Sequence, residues 1–233
     1  MPFDASRVRV LIFDVDGTLS DTDDRWVNRA SRLLHPTRFF FPNRDVQSAA
    51  RRLVMAMDAP GNAVFALIDR LHLDAPLARI TGLFNPKNNP HPPTGHSLIP
   101  GTLELLTALS SHYPLAVFTA RDKASTFAFL DQFNLHPFFG VVATALTCTH
   151  TKPYPDPILW IAAQMGVDPR DCLMVGDTVV DIRAAQAAGA QSAAVLFGFG
   201  SQDELARANP DLILPSPASL LQLLLPPPPQ NQT

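Results

Sequence analysis

Short apolar runs alternate with amphipathic stretches along this chain. The runs VRVLIF at 8–13, LAVF at 115–118, VVAT at 141–144, CLMV at 172–175, AAVLF at 193–197 and LIL at 212–214 are rich in β-branched and aliphatic residues. Continuous hydrophobicity over so few residues predicts strands buried on both faces. Between them the apolar spacing becomes that of a helix over 102–111, 123–133, 156–165 and 178–188. Pro100 and Gly101 precede the first of these and Asp122 the second, while Gly166 and Gly189 close the third and fourth. Ser201 and Glu204 have the spacing of a capping box. Strand and helix in turn predict an α/β fold, a doubly wound parallel sheet with helices on both faces.

The rhythm fails between residues 20 and 98. No strand run stands out there; helical patterns occur near 23–34, 45–57 and 62–72, followed by NPKNNPHPPTGH at 85–96, too rich in Pro and Asn for regular structure. The expectation is a small α-helical cap at 20–98, inserted into a core made of 1–19 and 99–225. PPPPQNQT at 226–233 reads as an extended Pro-rich tail.

Composition narrows the function classes. The chain has 233 residues, 46% of them hydrophobic, enough for one sizeable core with a smaller appended unit. A net charge of −3 gives no global field to attract nucleic acid or an anionic membrane, so an anionic partner must be held by local cations. Two cysteines, Cys148 and Cys172, are too few for a disulfide framework, and Cys172 sits in an apolar run like an ordinary buried thiol. The first apolar stretch is interrupted by Asp14 too soon to be a signal peptide or a membrane span. A cytoplasmic protein is expected, with neither a nucleic-acid nor a membrane partner, as a monomer or homodimer.

In an open parallel sheet, ligands bind outside the carboxyl ends of the strands. Asp14 and Asp16 follow the first run, Thr119 the second, and Gly176 and Asp177 the run CLMV, with Asp181 one helical turn further on and Lys152 ahead of the preceding helix. Carboxylates gathered there repel by about 4 kcal/mol per pair at contact distance in an effective dielectric near 20, which calls for a cation. Oxygen-only ligands favour magnesium. A metal and a lysine around a carboxylate trap an anion beside a nucleophile, so phosphoryl transfer is the natural reaction.

DVDGTL at 14–19, Thr119, TKPYPDP at 151–157 and VGDTVVDIRAAQAAG at 175–189 together resemble the haloacid dehalogenase (HAD) superfamily, most closely its phosphoglycolate-phosphatase-like branch. The resemblance runs from Val8 to about Phe197, and IPGTLELLTAL at 99–109 resembles the family's return from cap to core. It implies a magnesium-dependent phosphatase acting on a small phosphorylated metabolite through an aspartyl-phosphate, with phosphoglycolate as the default substrate. On that resemblance Asp14 is the nucleophile and Asp16 the proton carrier. Thr119 and Lys152 act on the phosphoryl group, and the phosphate site takes in Gly17, Thr119, Ala120, Arg121 and Lys152. Magnesium would be held by Asp14, the Asp16 main-chain carbonyl and Asp177, with Asp181 supporting the metal or Lys152. Relatives often carry a polar residue where this chain has Ala120, and Arg121 is the available substitute; its other reading is the start of a solvated helix face. A sugar-phosphate mutase of the same fold and a non-catalytic phosphate-binding protein are the alternatives.

Plainer readings exist for single residues. A DG pair after a strand is commonly a surface turn, and Asp181 suits the first turn of any helix. Of 18 basic residues only Lys87, Lys123 and Lys152 are lysine, so a lysine within TKP stands out from the background. The same scarcity disfavours a phosphonate-cleaving enzyme with a cap-lysine imine, and the presence of Asp16 disfavours a dehalogenase proper. Arg25, Arg29 and Arg32 share one helical face of the expected cap. A solvated face is the preferred reading of it, ahead of recognition of a second anionic group.

Overall fold

The computed structural model describes residues 3–21 and 97–225. By contacts the chain divides into two compact units, Met1–Thr22 with Gly95–Thr233, and Asp23–Thr94; all described residues belong to the first. The expected cap, apart from its two ends, and the Pro-rich tail therefore lie outside the described residues, as do Arg25, Arg29 and Arg32.

Six parallel strands form one sheet. They are β1 (Val10–Phe13), β2 (Leu115–Phe118), β3 (Phe139–Ala143), β4 (Cys172–Gly176), β5 (Gln191–Val195) and β6 (Leu212–Leu214). Their spatial order is β3-β2-β1-β4-β5-β6. The connecting helices are α1 (Thr102–Ser110), α2 (Lys123–Gln132), α3 (Asp156–Met165), α4 (Val179–Ala188), α5 (Gln202–Arg207) and α6 (Leu220–Leu224).

The continuous apolar runs have the predicted cause: both faces of the sheet are covered, and period-two alternation sorts the side chains between two cores. Leu11, Phe13, Leu115, Val117, Leu173 and Val175 face one side, with Leu105, Leu106 and Leu109 of α1, Phe129 and Leu130 of α2 and Leu220 of α6. Val10, Ile12, Ala116, Phe118, Cys172 and Met174 face the other, with Ile158 and Ile161 of α3 and Ala184 and Ala185 of α4. The predicted helix ends also hold. Asp122 accepts the Ser125 amide at the start of α2, Ser201 and Glu204 close the capping box of α5, and Gly166 and Gly189 adopt left-handed conformations after α3 and α4.

β3 and β5 start earlier than their apolar runs, β3 at Phe139 and not Val141. β5 begins at Gln191, not Ala193, because Gln191 and Ser192 are buried yet satisfied: Gln191 exchanges hydrogen bonds with the Asp4 main chain, and the Ser192 hydroxyl and amide donate to Asp211. Residues 196–200 consequently form a strand-end loop and not part of the strand.

The strand order reverses at β1, flanked by β2 on one side and β4 on the other. A ligand crevice belongs there, at the carboxyl ends. Beside it the chain leaves the core and returns as neighbours: Ser20 and Leu98 form an antiparallel bridge, and Ile99 N–H donates to the Leu19 carbonyl at 3.0 Å. Among the described residues no helix is long and apolar enough to cross a membrane.

Leu173 lies fully buried between β1 and β5. Truncating it to alanine is expected to cost about 2–5 kcal/mol in urea unfolding, with the denaturant slope unchanged; a loss below about 1 kcal/mol would contradict this core assignment.

Candidate active site

The end of β1 delivers Asp14 into the crevice, its backbone amide donating to the Val175 carbonyl of β4 at 2.9 Å. β4 ends one step later at Gly176, placing Asp177 beside it, and the first turn of α4 supplies Asp181. Carboxylate oxygens of Asp14, Asp177 and Asp181 all lie within 4.8 Å of one another, and all three residues are buried. Lys152, carried on the loop before α3, stands between two of them, with Nζ 2.6 Å from Asp14 Oδ1 and 2.6 Å from Asp181 Oδ1. Its stem is buried, and Nζ lies 4.8 Å from the centre of the Phe118 ring.

Asp181 serves both of its sequence readings. Oδ2 accepts the Thr178 amide at 3.0 Å and hydroxyl at 2.6 Å, fixing the start of α4, while Oδ1 faces Lys152. Asp177 is held similarly: Oδ1 accepts from the Thr18 hydroxyl at 3.3 Å and Oδ2 from the Phe199 amide at 2.7 Å.

Glycines permit this crowding. Gly17 has a φ of +76°, and a Cβ there would come 2.2 Å from Asp177 Oδ2. A Cβ on Gly198, whose φ lies outside the left-handed region, would come 2.1 Å from the same oxygen. Pattern reading missed Thr18, Gly198 and Phe199. The signal was present in LFGFG, but treating 193–197 as strand concealed that these residues open a strand-end loop.

The charges explain the electrostatics. Burial pushes the Asp14 carboxyl up to about 7; Lys152 opposes the shift, and Asp181 and Asp16 add to it. Burial, with Asp14 and Asp181 nearby, raises Asp177 well above the ordinary carboxylate range. For Lys152 burial acts downward, but the Asp14 and Asp181 charges overcome it and hold the ammonium charged. One ammonium among three buried carboxylates leaves an excess of negative charge. The donor set is all oxygen, so the group is suited to a hard divalent cation.

Thr119 directly follows β2, fully buried, with its amide donating to the Ala143 carbonyl. Ala120 is exposed and offers no side-chain donor. Arg121 is not on a solvated helix face. Its guanidinium grips Asp16, Nε donating to Oδ2 at 2.6 Å and the terminal nitrogen to Oδ1. The Asp16 side chain accordingly stands apart from the three-carboxylate group.

Comparison with known proteins agrees with this geometry. The sequence profile of the haloacid dehalogenase-like hydrolase family matches residues 11–195. The chain belongs to that family. It is 30% identical over 206 residues to the probable phosphatase IndB of Dickeya dadantii, covering 88% of each chain. It is 24% identical to the pyrophosphatase PpaX of Bacillus pumilus over 94% of this chain and 97% of that one. Phosphoglycolate phosphatase of Escherichia coli is 33% identical over 139 residues, 59% of this chain and 55% of the relative. Among solved structures, a predicted phosphoglycolate phosphatase from Haemophilus somnus has a TM-score of 0.63 at 22% identity over 93% of this chain and 98% of that one. Membership with phosphatase relatives makes this HAD protein an enzyme, a phosphoric monoester hydrolase.

Two predictions follow from the packed carboxylates. Gly198→Ala pushes a methyl group into Asp177 and is expected to weaken divalent-cation binding about 10- to 100-fold by calorimetry. Unchanged affinity would show that the loop does not set the Asp177 position. Because the buried carboxyls have raised values, the cation-free fold binds more protons than the unfolded chain between about pH 4 and pH 7, so its stability falls as pH rises through that window. Melting in EDTA should therefore occur at lower temperature at about pH 8 than at about pH 5.5, and magnesium should raise it more at the higher pH. Equal magnesium shifts at both pH values would contradict the assignment.

Proposed function

We propose that this protein is a magnesium-dependent phosphatase that hydrolyses a small-molecule phosphate monoester through an aspartyl-phosphate on Asp14. The observation that carries the reading is the Asp14 carboxylate at the end of the central strand, 2.6 Å from the buried Lys152 ammonium and beside Asp177 and Asp181.

Asp14 attacks phosphorus and displaces the alcohol oxygen, which takes a proton from Asp16. A water molecule then attacks the aspartyl-phosphate, giving its proton back to Asp16 and releasing phosphate and free Asp14. Lys152 keeps Asp14 aligned and offsets the charge of the incoming phosphoryl group. The Arg121 amide donates to Thr119 Oγ1 at 3.1 Å, which leaves the Thr119 hydroxyl proton to be donated to a phosphoryl oxygen. Gly17, as part of the turn after β1, lets main-chain amides approach the same group. Magnesium would be held by Asp14, Asp177 and the Asp16 carbonyl, with Asp181 acting through Lys152. When bound, it supplies positive charge toward phosphoryl oxygens and holds Asp14 ionised.

Phosphoglycolate is the first substrate to test, since a relative bears that name, and pyrophosphate the second, for the same reason. A structure named as a β-phosphoglucomutase from Thermotoga maritima shares the fold at a TM-score of 0.60 and 19% identity. A sugar phosphate returned as an isomer, with no free phosphate, would assign this chain to mutase chemistry.

The test is phosphate release from p-nitrophenyl phosphate and a panel containing both candidate substrates, with magnesium or with EDTA. Asp14→Asn is expected to abolish release, and Asp16→Asn to lower turnover of alkyl phosphates by about 10²–10⁴-fold. Release that survives Asp14→Asn would overturn the aspartyl-phosphate reading.

A further inference from the structure

Arg121 ties three parts of the site together. Two of its guanidinium nitrogens donate to the two oxygens of Asp16, its amide donates to Thr119 Oγ1, and its carbonyl accepts the Ala145 amide beyond β3 at 2.9 Å. The guanidinium carbon also lies 5.1 Å from the centre of the Phe129 ring. The Arg121 side chain is only 11% exposed, whereas that of Asp16 is 29% exposed. The anchored partner is thus the arginine, and the carboxylate reaching toward solvent is held by it. A planar fork on a carboxylate fixes direction as well as distance, which a single ammonium does not.

We propose that Arg121 is the positioning residue for Asp16, holding its carboxylate in place to take the proton of the attacking water. This rests on the phosphatase reading. In the first half-reaction the bond from Asp14 to phosphorus forms, the ester P–O bond breaks, and the Asp16 proton passes to the leaving oxygen. Asp16 is then a carboxylate, the form a guanidinium fork receives. In the second half the water oxygen bonds to phosphorus, the bond to Asp14 breaks, and the water proton returns to Asp16, which releases it from the fork. Arg121 thereby acts on breakdown of the aspartyl-phosphate. Its guanidinium is occupied by Asp16 and is not assigned to the phosphoryl group.

Stopped-flow kinetics with p-nitrophenyl phosphate and magnesium separate the two halves, because p-nitrophenolate departs with little need of a proton. In Arg121→Gln, kcat is expected to fall about 10- to 100-fold. KM should fall with it, so that kcat/KM changes by less than about threefold, because that ratio reports only the first half-reaction. A burst approaching one p-nitrophenolate per active site should precede the steady state. Arg121→Lys, with one cation and no fork, is expected to lie between glutamine and wild type, and it carries the same test if the glutamine variant does not fold. A fall in kcat/KM matching the fall in kcat, without a burst, would overturn the proposal in favour of phosphate binding or simple structural support. Unchanged kcat would overturn it as well. Wild-type protein that releases no p-nitrophenolate would overturn the phosphatase reading and this inference together, whereas wild-type turnover without the expected variant behaviour overturns this inference alone.

Discussion

The ammonium of Lys152, buried and shared between buried Asp14 and Asp181, is the interaction on which the site depends. Removing one partner from a buried ion pair typically costs about 3–5 kcal/mol, because the other charge is left unpaired. Here one cation faces three carboxylates, so even the intact arrangement is short of positive charge. The fold tolerates this because the cluster lies where the strand order reverses, between helices packed on large apolar cores that supply stability elsewhere. Stored repulsion of this kind is released when a cation binds, which makes cation affinity and fold stability two aspects of one arrangement.

Close backbone approach is the second constraint. Gly17 and Gly198 both pack their backbones against Asp177, and its two oxygens are already claimed by Thr18 and the Phe199 amide. Asp181 is similarly committed, one oxygen to the start of α4 and the other to Lys152. Such carboxylates have little freedom to relax away from each other. Pre-organisation of this sort lets a site stabilise charge without reorganising during the reaction.

Asp16 lives under different conditions. It is partly exposed and paired with a guanidinium rather than packed into the carboxylate group. Two aspartates separated by a single residue thus receive unlike environments, one packed among carboxylates beside an ammonium and the other forked by a guanidinium. The roles proposed for the two residues, bonding phosphorus and exchanging protons, call for surroundings that differ in this way.

Much of this was legible in the chain. The apolar runs marked all six strands because a doubly covered parallel sheet demands continuous hydrophobicity, and local cap chemistry marked the helix ends. The strand-end rule singled out Asp14, Asp16, Thr119 and Asp177, with Lys152 and Asp181, because a parallel α/β topology sends all carboxyl ends to one side, and the fold brings Asp14, Lys152, Asp177 and Asp181 together while Asp16 turns to Arg121. The start of β5 was not legible: Gln191 and Ser192 look polar, and only their partners Asp4 and Asp211, distant in sequence, make them fit to be buried. The same displacement concealed the Gly198–Gly200 loop. Nor could the sequence say which acid Arg121 would meet. Spacing along a strand or helix is a local property that the chain carries in itself, whereas a pairing across 105 residues, such as Arg121 with Asp16, exists only once the sheet has brought β1 and β2 side by side.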